Sequence, residues 1–175
     1  FDWEQDEHPM LSYRESVCYC MHVRGFTMHA SSKVTHRGTF AGIAEKLDYL
    51  QEIGITTVEL QPVYEFDETP EEVNKKTSAD IVATAGENGG ELPGYRVLNY
   101  WGYREGFYYA PKAAYAAEED AALEFRQLVK EFHKRRMEVI LQFYFPKGMD
   151  VTEIGNILRF WVLTYHVDGF HLMGE

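Results

Sequence analysis

Positive charge, cysteine and long hydrophobic runs are all scarce in this sequence. No apolar stretch approaches the ~20 residues that a membrane-spanning helix needs. Lys and Arg together number 17 against 28 Asp and Glu, which leaves a formal net charge of −11. A chain this acidic repels nucleic acid and anionic membrane surfaces. We therefore expect neither as a partner, and we expect a neutral ligand instead.

The scarcity of cysteine excludes a disulfide framework. Cys18 and Cys20 are two positions apart on a predicted strand, where their Cβ atoms diverge and a bridge would be strained. Two buried thiols fit a reducing compartment, so we expect a cytoplasmic location. The seven histidines lack metal-site spacing, and no glycine-rich phosphate loop lies between a strand and a helix. We expect no metal and no cofactor.

Aromatic residues, by contrast, are abundant. The chain has 12 Tyr, 11 Phe and 3 Trp, which make up 15% of its residues. Flat rings fill protein cores, and on a surface they stack on the faces of sugars. Composition leaves both interpretations open.

Short apolar runs alternate along the chain with segments of helical periodicity. Strands are predicted at residues 17–23, 55–60, 139–145 and 167–172, and helices at 39–54, 117–135 and 154–166. This alternation is typical of a parallel α/β sheet with helical crossovers. Four such units fit either a doubly wound sheet or half of a (β/α)8 barrel.

Two regions fall outside this alternation. Residues 1–16 are acidic, contain Pro9 and show no periodicity, so they are predicted to be a linker from an upstream domain. Residues 62–111 form a connection far longer than the ~2–6 residues usual in such units. Within it, residues 68–94 are predicted to be a flexible insertion. The aromatic-rich residues 98–111 are predicted to be ordered and functional.

Short motifs at the ends of these elements carry a family resemblance. In chain order they are YCMHVRGFT at 19–27, GTF at 38–40, LDYL at 47–50, ELQP at 59–62, LNYWGY at 98–103 and DGFH at 168–171. This series resembles glycoside hydrolase family 13, the α-amylase superfamily, and most closely its pullulanase, isoamylase and glycogen-debranching branch. The resemblance covers about residues 10–175. It implies an α/β fold, a (β/α)8 TIM barrel whose first four strands lie in residues 17–175.

The resemblance also implies a reaction. Members cleave or transfer α-glucosidic bonds with retention, using an Asp nucleophile after the fourth strand, a Glu acid/base after the fifth and a second Asp after the seventh. The nucleophile and the acid/base lie ~5–5.5 Å apart in retaining enzymes. The family pattern on the fourth strand is Gly-Phe-Arg-x-Asp, whereas this chain has Gly169-Phe170-His171-Leu172-Met173. Met173 therefore stands at the nucleophile position and His171 at that of the Arg.

These replacements remove the chemistry of the fourth strand. A thioether cannot form a glycosyl ester, and a neutral imidazole does not replace a permanently charged guanidinium. Two acidic residues lie nearby. Asp168 sits at the wrong end of the strand, where capping or pairing is its expected role, and Glu175 is two residues past the site. We expect no catalytic residue in this chain.

The third strand departs from the family in the same way. Its family pattern is Asp-Val-Val-x-Asn-His, whereas residues 142–147 read QFYFPK. Gln142, Pro146 and Lys147 thus replace an Asp, a potential calcium-binding Asn and a sugar-binding His. The flanking apolar residues still align, which argues against a slipped register.

The aromatic loop at residues 98–103 keeps the family pattern. By resemblance, Tyr103 lines the innermost glucose subsite, while Tyr100 and Trp101 shape the loop. Packing of the loop onto the barrel rim is the competing role for all three. His22 ends the first strand at the same rim, where a hydrogen-bonded core histidine is more common than a ligand-binding one. The predicted substrate-binding residues are Tyr103, Tyr100, Trp101, His171 and His22.

Two functional hypotheses follow. The first is an α-glucan-active hydrolase of the amylase, pullulanase or debranching type in starch or glycogen metabolism. Under this hypothesis the 175 residues of this chain are inactive on their own. Its expected partners are glycogen, starch or a pullulan-like glucan, the remainder of the barrel, and an upstream starch-binding module. The second is a catalytically degenerate barrel that binds α-glucan or only holds neighbouring domains.

Overall fold

A four-stranded parallel sheet forms the centre of the computed structural model, which describes residues 1–69 and 98–174. Its strands lie in the order β1-β2-β5-β6, and every neighbouring pair is parallel. A separate antiparallel pair, β3 and β4, lies in the long connection between β2 and β5. The strands are β1 Cys18–Met21, β2 Thr57–Leu60, β3 Tyr64–Glu65, β4 Phe107–Pro111, β5 Glu138–Tyr144 and β6 Gly169–Met173.

Helices cover one face of this sheet. They are α1 Val23–Thr27, α2 Phe40–Ala44, α3 Leu47–Glu52, α4 Ala121–Lys134 and α5 Val151–Tyr165, with short 3-10 turns at Ala30–Ser32 and Ala113–Tyr115. The carboxylates of Asp120 and Asp150 begin the two long helices by accepting backbone N–H bonds from Leu123 and Thr152. The apolar stripe of each long helix then packs on the sheet. None of the helices in the described part of the chain is long and apolar enough to cross a bilayer.

The sequence predicts the four strands and the two long helices at their observed places, within a few residues at each end. The single helix predicted over residues 39–54 is wrong, because the chain forms α2 and α3 there. The break falls at Glu45 and Lys46. Glu45 turns its carboxylate back to accept the backbone N–H groups of Thr35 and His36. Both short helices still bury the apolar residues that recur at helical spacing, Phe40, Ile43, Leu47 and Leu50.

The prediction that β1 is buried on both faces is also wrong. Cys18 and Cys20 are exposed, and both are free thiols. β1 is the edge of the sheet, and the two cysteines lie on the face away from the helices. His22 also ends the strand early, because its Nδ1 accepts the N–H of Gly25 and caps α1.

The face of the sheet away from the helices is the interior face of the predicted barrel. The register of the strands arranges its side chains in layers. Side chains of directly paired residues on parallel strands point the same way. The lowest layer holds Cys18, Thr57 and Glu138, and the next holds Cys20, Glu59, Ile140 and Gly169. Gln142 and His171 share a higher layer, and Tyr144 and Met173 the highest. Such layers fill the interior of (β/α)8 barrels.

Residues 1–16 lie against the lower end of the sheet. Trp3 stacks on His166 with ring centroids 3.9 Å apart, and the backbone N–H of Leu11 donates to Glu138 at 2.9 Å. The predicted insertion at 68–94 is described only at Glu68 and Thr69, and its other residues lie outside the described ranges.

Candidate functional site

Three polar side chains meet on the interior face of the sheet. Glu59 Oε1 on β2 accepts hydrogen bonds from Gln142 Nε2 on β5 and from His171 Nδ1 on β6, the latter at 2.6 Å. Gln142 is 5% exposed, whereas the side chain of His171 is 55% exposed. Three neighbouring strands therefore meet at one carboxylate, and the imidazole above it faces the open side of the sheet.

The surroundings of Glu59 favour its ionised form. Burial acts to raise the pKa of its carboxyl group, but hydrogen bonds from Gln142 and His171 and the charge of His171 outweigh it. The net effect is a lowered pKa. Sequence reasoning missed Glu59 as a site residue. The available signal was a single acidic residue inside an apolar strand.

Gln142 and His171 also explain how the interior tolerates its departures from the family pattern. By the resemblance, an Asp and an Arg would occupy these two places. Here a neutral amide and an imidazole both donate to Glu59, so no buried donor is left without a partner at this point. The two replacements are therefore compatible with each other and with the fold.

Met173 lies at the carboxyl end of β6, where parallel sheets place their functional groups. Its backbone carbonyl accepts the N–H of Phe145, and Gly174 follows with a φ of 116°. A Cβ at Gly174 would collide with the carbonyl oxygen of Phe145, so this turn requires glycine. The strand end is thus held in place, and it presents a thioether instead of a carboxylate.

Glu59 does not lie at the nucleophile position, which Met173 occupies. It is level with Gly169 on β6, because both pair with Ile140. Met173 is four residues further along that strand, which corresponds to ~13 Å. Asp168 is further still, at the opposite end of the strand. Glu175 lies outside the described residues.

Asp168 has the structural role expected from the sequence. Its Oδ2 accepts the N–H of Val139 at 2.7 Å and lies 3.0 Å from His133 Nε2. Its Oδ1 lies 2.8 Å from His8 Nδ1. Burial acts to raise the pKa of this carboxyl group, but the hydrogen bonds from His133 and Val139 and the charge of His133 lower it.

The loop at residues 98–103 lies beside the upper layers of the interior face. The hydroxyl of Tyr103 donates to Gln142 Oε1 at 2.6 Å, which joins the loop to the Glu59 cluster. Gly102 adopts a φ of 76°, and a side chain there would collide with the ring of Phe66. The hydroxyl of Tyr64 lies within hydrogen-bond distance of the carbonyls of Gly102 and Arg104, at 3.0 and 2.8 Å. Both features hold the loop in one conformation.

His22 holds the same loop from the other side. Its ring is buried, stacks on Tyr100 at 4.2 Å and places Nε2 2.8 Å from the Tyr100 carbonyl. Because Nδ1 accepts the N–H of Gly25, Nε2 is the nitrogen that donates. Burial lowers the pKa of His22, which favours this neutral form. Any effect of His22 on a ligand would therefore pass through the loop.

Trp101 and Tyr103 are the rings that the loop offers to a ligand. Trp101 is 53% exposed, and Tyr103 is half-buried with its hydroxyl on Gln142. Tyr100 is held between His22 and Trp101. The arrangement provides an aromatic wall, an exposed imidazole and a carboxylate. It can bind a neutral polyhydroxylated ligand, whereas Met173 leaves it without a nucleophile at the strand end.

Comparison with known proteins identifies the family of this chain. A family described as the α-amylase catalytic domain matches residues 24–150. Isoamylase 1 of Arabidopsis thaliana chloroplasts is 39% identical over 166 residues, covering 91% of this chain and 19% of its own length. The GlgX homolog of the Haemophilus influenzae glycogen operon is 34% identical over 217 residues, covering 97% of this chain and 30% of its own.

Solved structures agree on the fold. A pullulanase from Paenibacillus barengoltzii, crystallised with maltohexaose and α-cyclodextrin, superposes with a TM-score of 0.70 at 22% identity. The match covers 97% of this chain and 32% of the pullulanase. The predicted barrel fold is thus confirmed for the four strands present. The chain spans about a fifth to a third of the proteins it matches.

Proposed function

Because this chain belongs to the α-amylase catalytic-domain family, we propose that it forms part of the glucan-binding barrel of a debranching-type protein in starch or glycogen metabolism. Two relatives above 30% identity are named an isoamylase and a glycogen-operon protein, which supports an α-1,4-linked, α-1,6-branched glucan as the ligand class. The remainder of the barrel and an upstream starch-binding module are the proposed partners.

One observation carries the proposal. Tyr103 is fixed at the mouth of the interior face by Gln142, on a loop that His22, Tyr64 and Gly102 hold in place. A ring that is already fixed loses little conformational entropy when it covers a sugar face. His171 and Trp101 add an exposed imidazole and an exposed indole to the same region.

The chemistry of this half is binding and not bond cleavage. Retaining hydrolysis needs a carboxylate that attacks the anomeric carbon and forms a glycosyl ester. Met173 cannot form that ester, and Glu59 lies lower in the interior. If the protein that carries this chain hydrolyses glucan, another group must supply the nucleophile.

A second candidate function rests on three positions that depart together from the family pattern, Gln142, His171 and Met173. A family member that has lost the Asp and Arg positions together, yet keeps the aromatic loop, fits a glucan-binding protein without hydrolytic activity. Under this alternative the whole protein retains affinity for glycogen and releases no reducing ends.

Two assays on the protein that carries this chain separate the candidates. We expect its migration in a native gel to be retarded by glycogen. Reducing-end release from pullulan and glycogen would favour the hydrolase, whereas retardation without release would favour the binding protein. Absence of both retardation and release would overturn the proposed glucan binding.

A further inference from the structure

A cluster of histidine and aspartate side chains lies at the lower end of the sheet, opposite Met173 and the aromatic loop. His8 comes from the N-terminal arm, His133 from α4, and Asp168 from the turn before β6. One ring nitrogen from each histidine and one carboxylate oxygen of Asp168 lie within 4.8 Å of one another. We propose that these three side chains bind a divalent transition-metal ion, with zinc as the best-fitting metal.

The type of ligand suggests the metal. Two imidazole nitrogens and one carboxylate oxygen match the donors that zinc takes in proteins. Zinc bonds of ~2.0–2.1 Å in a tetrahedron place ligand atoms ~3.4 Å apart. The widest separation among the three ligand atoms, at most 4.8 Å, would have to shorten by up to ~1.4 Å, and the histidine nitrogens now 2.8 and 3.0 Å from Asp168 oxygens would move slightly apart. His8, whose side chain is 40% exposed on the arm, can make this adjustment.

The carboxylate of Asp6 orients His133, the buried histidine of the three proposed ligands. His133 Nδ1 lies 2.9 Å from Asp6 Oδ1 and 3.1 Å from Asp6 Oδ2, which leaves Nε2 directed toward Asp168. A carboxylate on the far nitrogen of a metal-binding histidine is the usual outer-shell arrangement. Asp6 is itself held by His166 Nδ1 at 2.8 Å.

Charge and space also favour a cation here. The side chains of Asp6 and Asp168 are 2% and 8% exposed, and within the described residues their ion-pair partners are histidines, with no Lys or Arg. Two nearly buried carboxylates are costly unless positive charge faces them. His133 contacts both and supplies that charge when protonated, so a bound metal ion would take the place of its proton. A cavity of about 250 Å³ borders the cluster and offers room for a water as the fourth ligand. Its lining includes Asp6, His8 and His133 and also the basic side chains of Lys130, Lys134 and Arg136.

Metal binding would fasten the arm to the barrel. Asp6 and His8 belong to the arm, whereas His133 and Asp168 belong to α4 and the β6 turn. The site is at the opposite end of β6 from Met173, ~16 Å away along the strand. We therefore expect metal binding there to be independent of glucan binding. Residues 8, 133 and 168 are far apart along the chain, so the sequence shows no short motif of closely spaced metal ligands.

The test is a titration of metal-free protein with Zn²⁺ against a chromophoric chelator. Cys18 and Cys20 are first replaced by Ser, since free thiols would bind zinc themselves. We expect one zinc per chain. His8→Ala should weaken binding more than ~100-fold, and the outer-shell variant Asp6→Asn ~10–100-fold. The matched control His29→Ala, an exposed histidine on another loop, should bind normally.

Two further readouts separate metal binding from a general effect on folding. Co²⁺ in place of zinc should give the strong visible absorption of a four-coordinate site, and this absorption should be lost in His8→Ala. Zinc should also slow proteolysis within residues 1–16 in the control but not in His8→Ala, with unchanged circular dichroism in both. The absence of saturable zinc binding, or equal affinity in His8→Ala and His29→Ala, would overturn the proposal.

Discussion

At the scale of single residues, the interior cluster depends on the ionised form of Glu59. Gln142 and His171 donate to the same carboxylate oxygen, and Gln142 Nε2 also lies 3.4 Å from Cys20 Sγ, a weaker acceptor. The sequence predicted the positions of His171 and Gln142 through the family pattern. It could not predict their joint partner, because that pairing depends on strand register.

Glu59→Gln should reduce stability in a pH-dependent way. The folded-state pKa of Glu59 is lowered, so its stabilisation is present above the unfolded-state pKa and is lost as pH falls through the lowered value. We expect a loss of ~1 kcal/mol at pH 7, below the usual range for charged hydrogen bonds because the group is partly exposed. Urea unfolding at a series of pH values measures this.

The difference between Glu59→Gln and the unchanged protein should shrink as the pH falls well below 4. A constant difference over the whole pH range would show that the ionised carboxylate is not the stabilising form. Glu15→Gln, on the exposed arm, provides a matched control for the loss of a carboxylate elsewhere in the chain.

At the scale of elements, the sequence predicted the alternation of strands and long helices correctly because their apolar patterns are strong. The predicted helix over residues 39–54 was wrong, since apolar spacing does not record that Glu45 turns back onto the loop before it. The burial of β1 was wrong as well. An apolar strand at a sheet edge has the same pattern as a central one.

The aromatic loop should depend on its glycine more than on any single contact. Gly102→Ala forces a Cβ toward the ring of Phe66 and strains a φ of 76°. We expect a loss of ~1–3 kcal/mol in the free energy of unfolding, together with weaker glucan binding. Chemical unfolding and glycogen retardation measure the two effects.

Gly155→Ala provides the contrast to Gly102→Ala. Gly155 lies in α5, and a Cβ there would meet no atom within 4 Å. Because alanine favours helix, this variant should gain up to ~1 kcal/mol. Equal effects of the two substitutions would contradict a conformational requirement for Gly102.

At the scale of the whole molecule, β1 and β6 are the two edge strands of the sheet, and no further strand pairs with either among residues 1–69 and 98–174. The interior face beside β1 exposes both cysteines, and α5 exposes Val151 and Leu163 at 81% and 64%. Open strand edges and apolar patches of this kind drive association. The chain spans a fifth to a third of the relatives that it matches.

The chain expressed alone should therefore self-associate. Sedimentation velocity over a range of concentrations should show species larger than a monomer, and Leu172→Lys on the β6 edge should reduce their fraction. A monodisperse monomer at every concentration would contradict the open-edge account. Arg159→Lys on α5 keeps its charge and provides a control that should behave like the unchanged chain.

The central claim is that this half of the barrel binds α-glucan through the Tyr103 loop. Native gels containing glycogen test it most directly, with Tyr103→Ala compared against Tyr13→Ala, a fully exposed tyrosine on the arm. The account predicts that Tyr13→Ala migrates like the unchanged protein and is retarded by glycogen. It predicts that Tyr103→Ala, while still folded by circular dichroism, loses most of that retardation. Equal retardation of the two variants would contradict the claim.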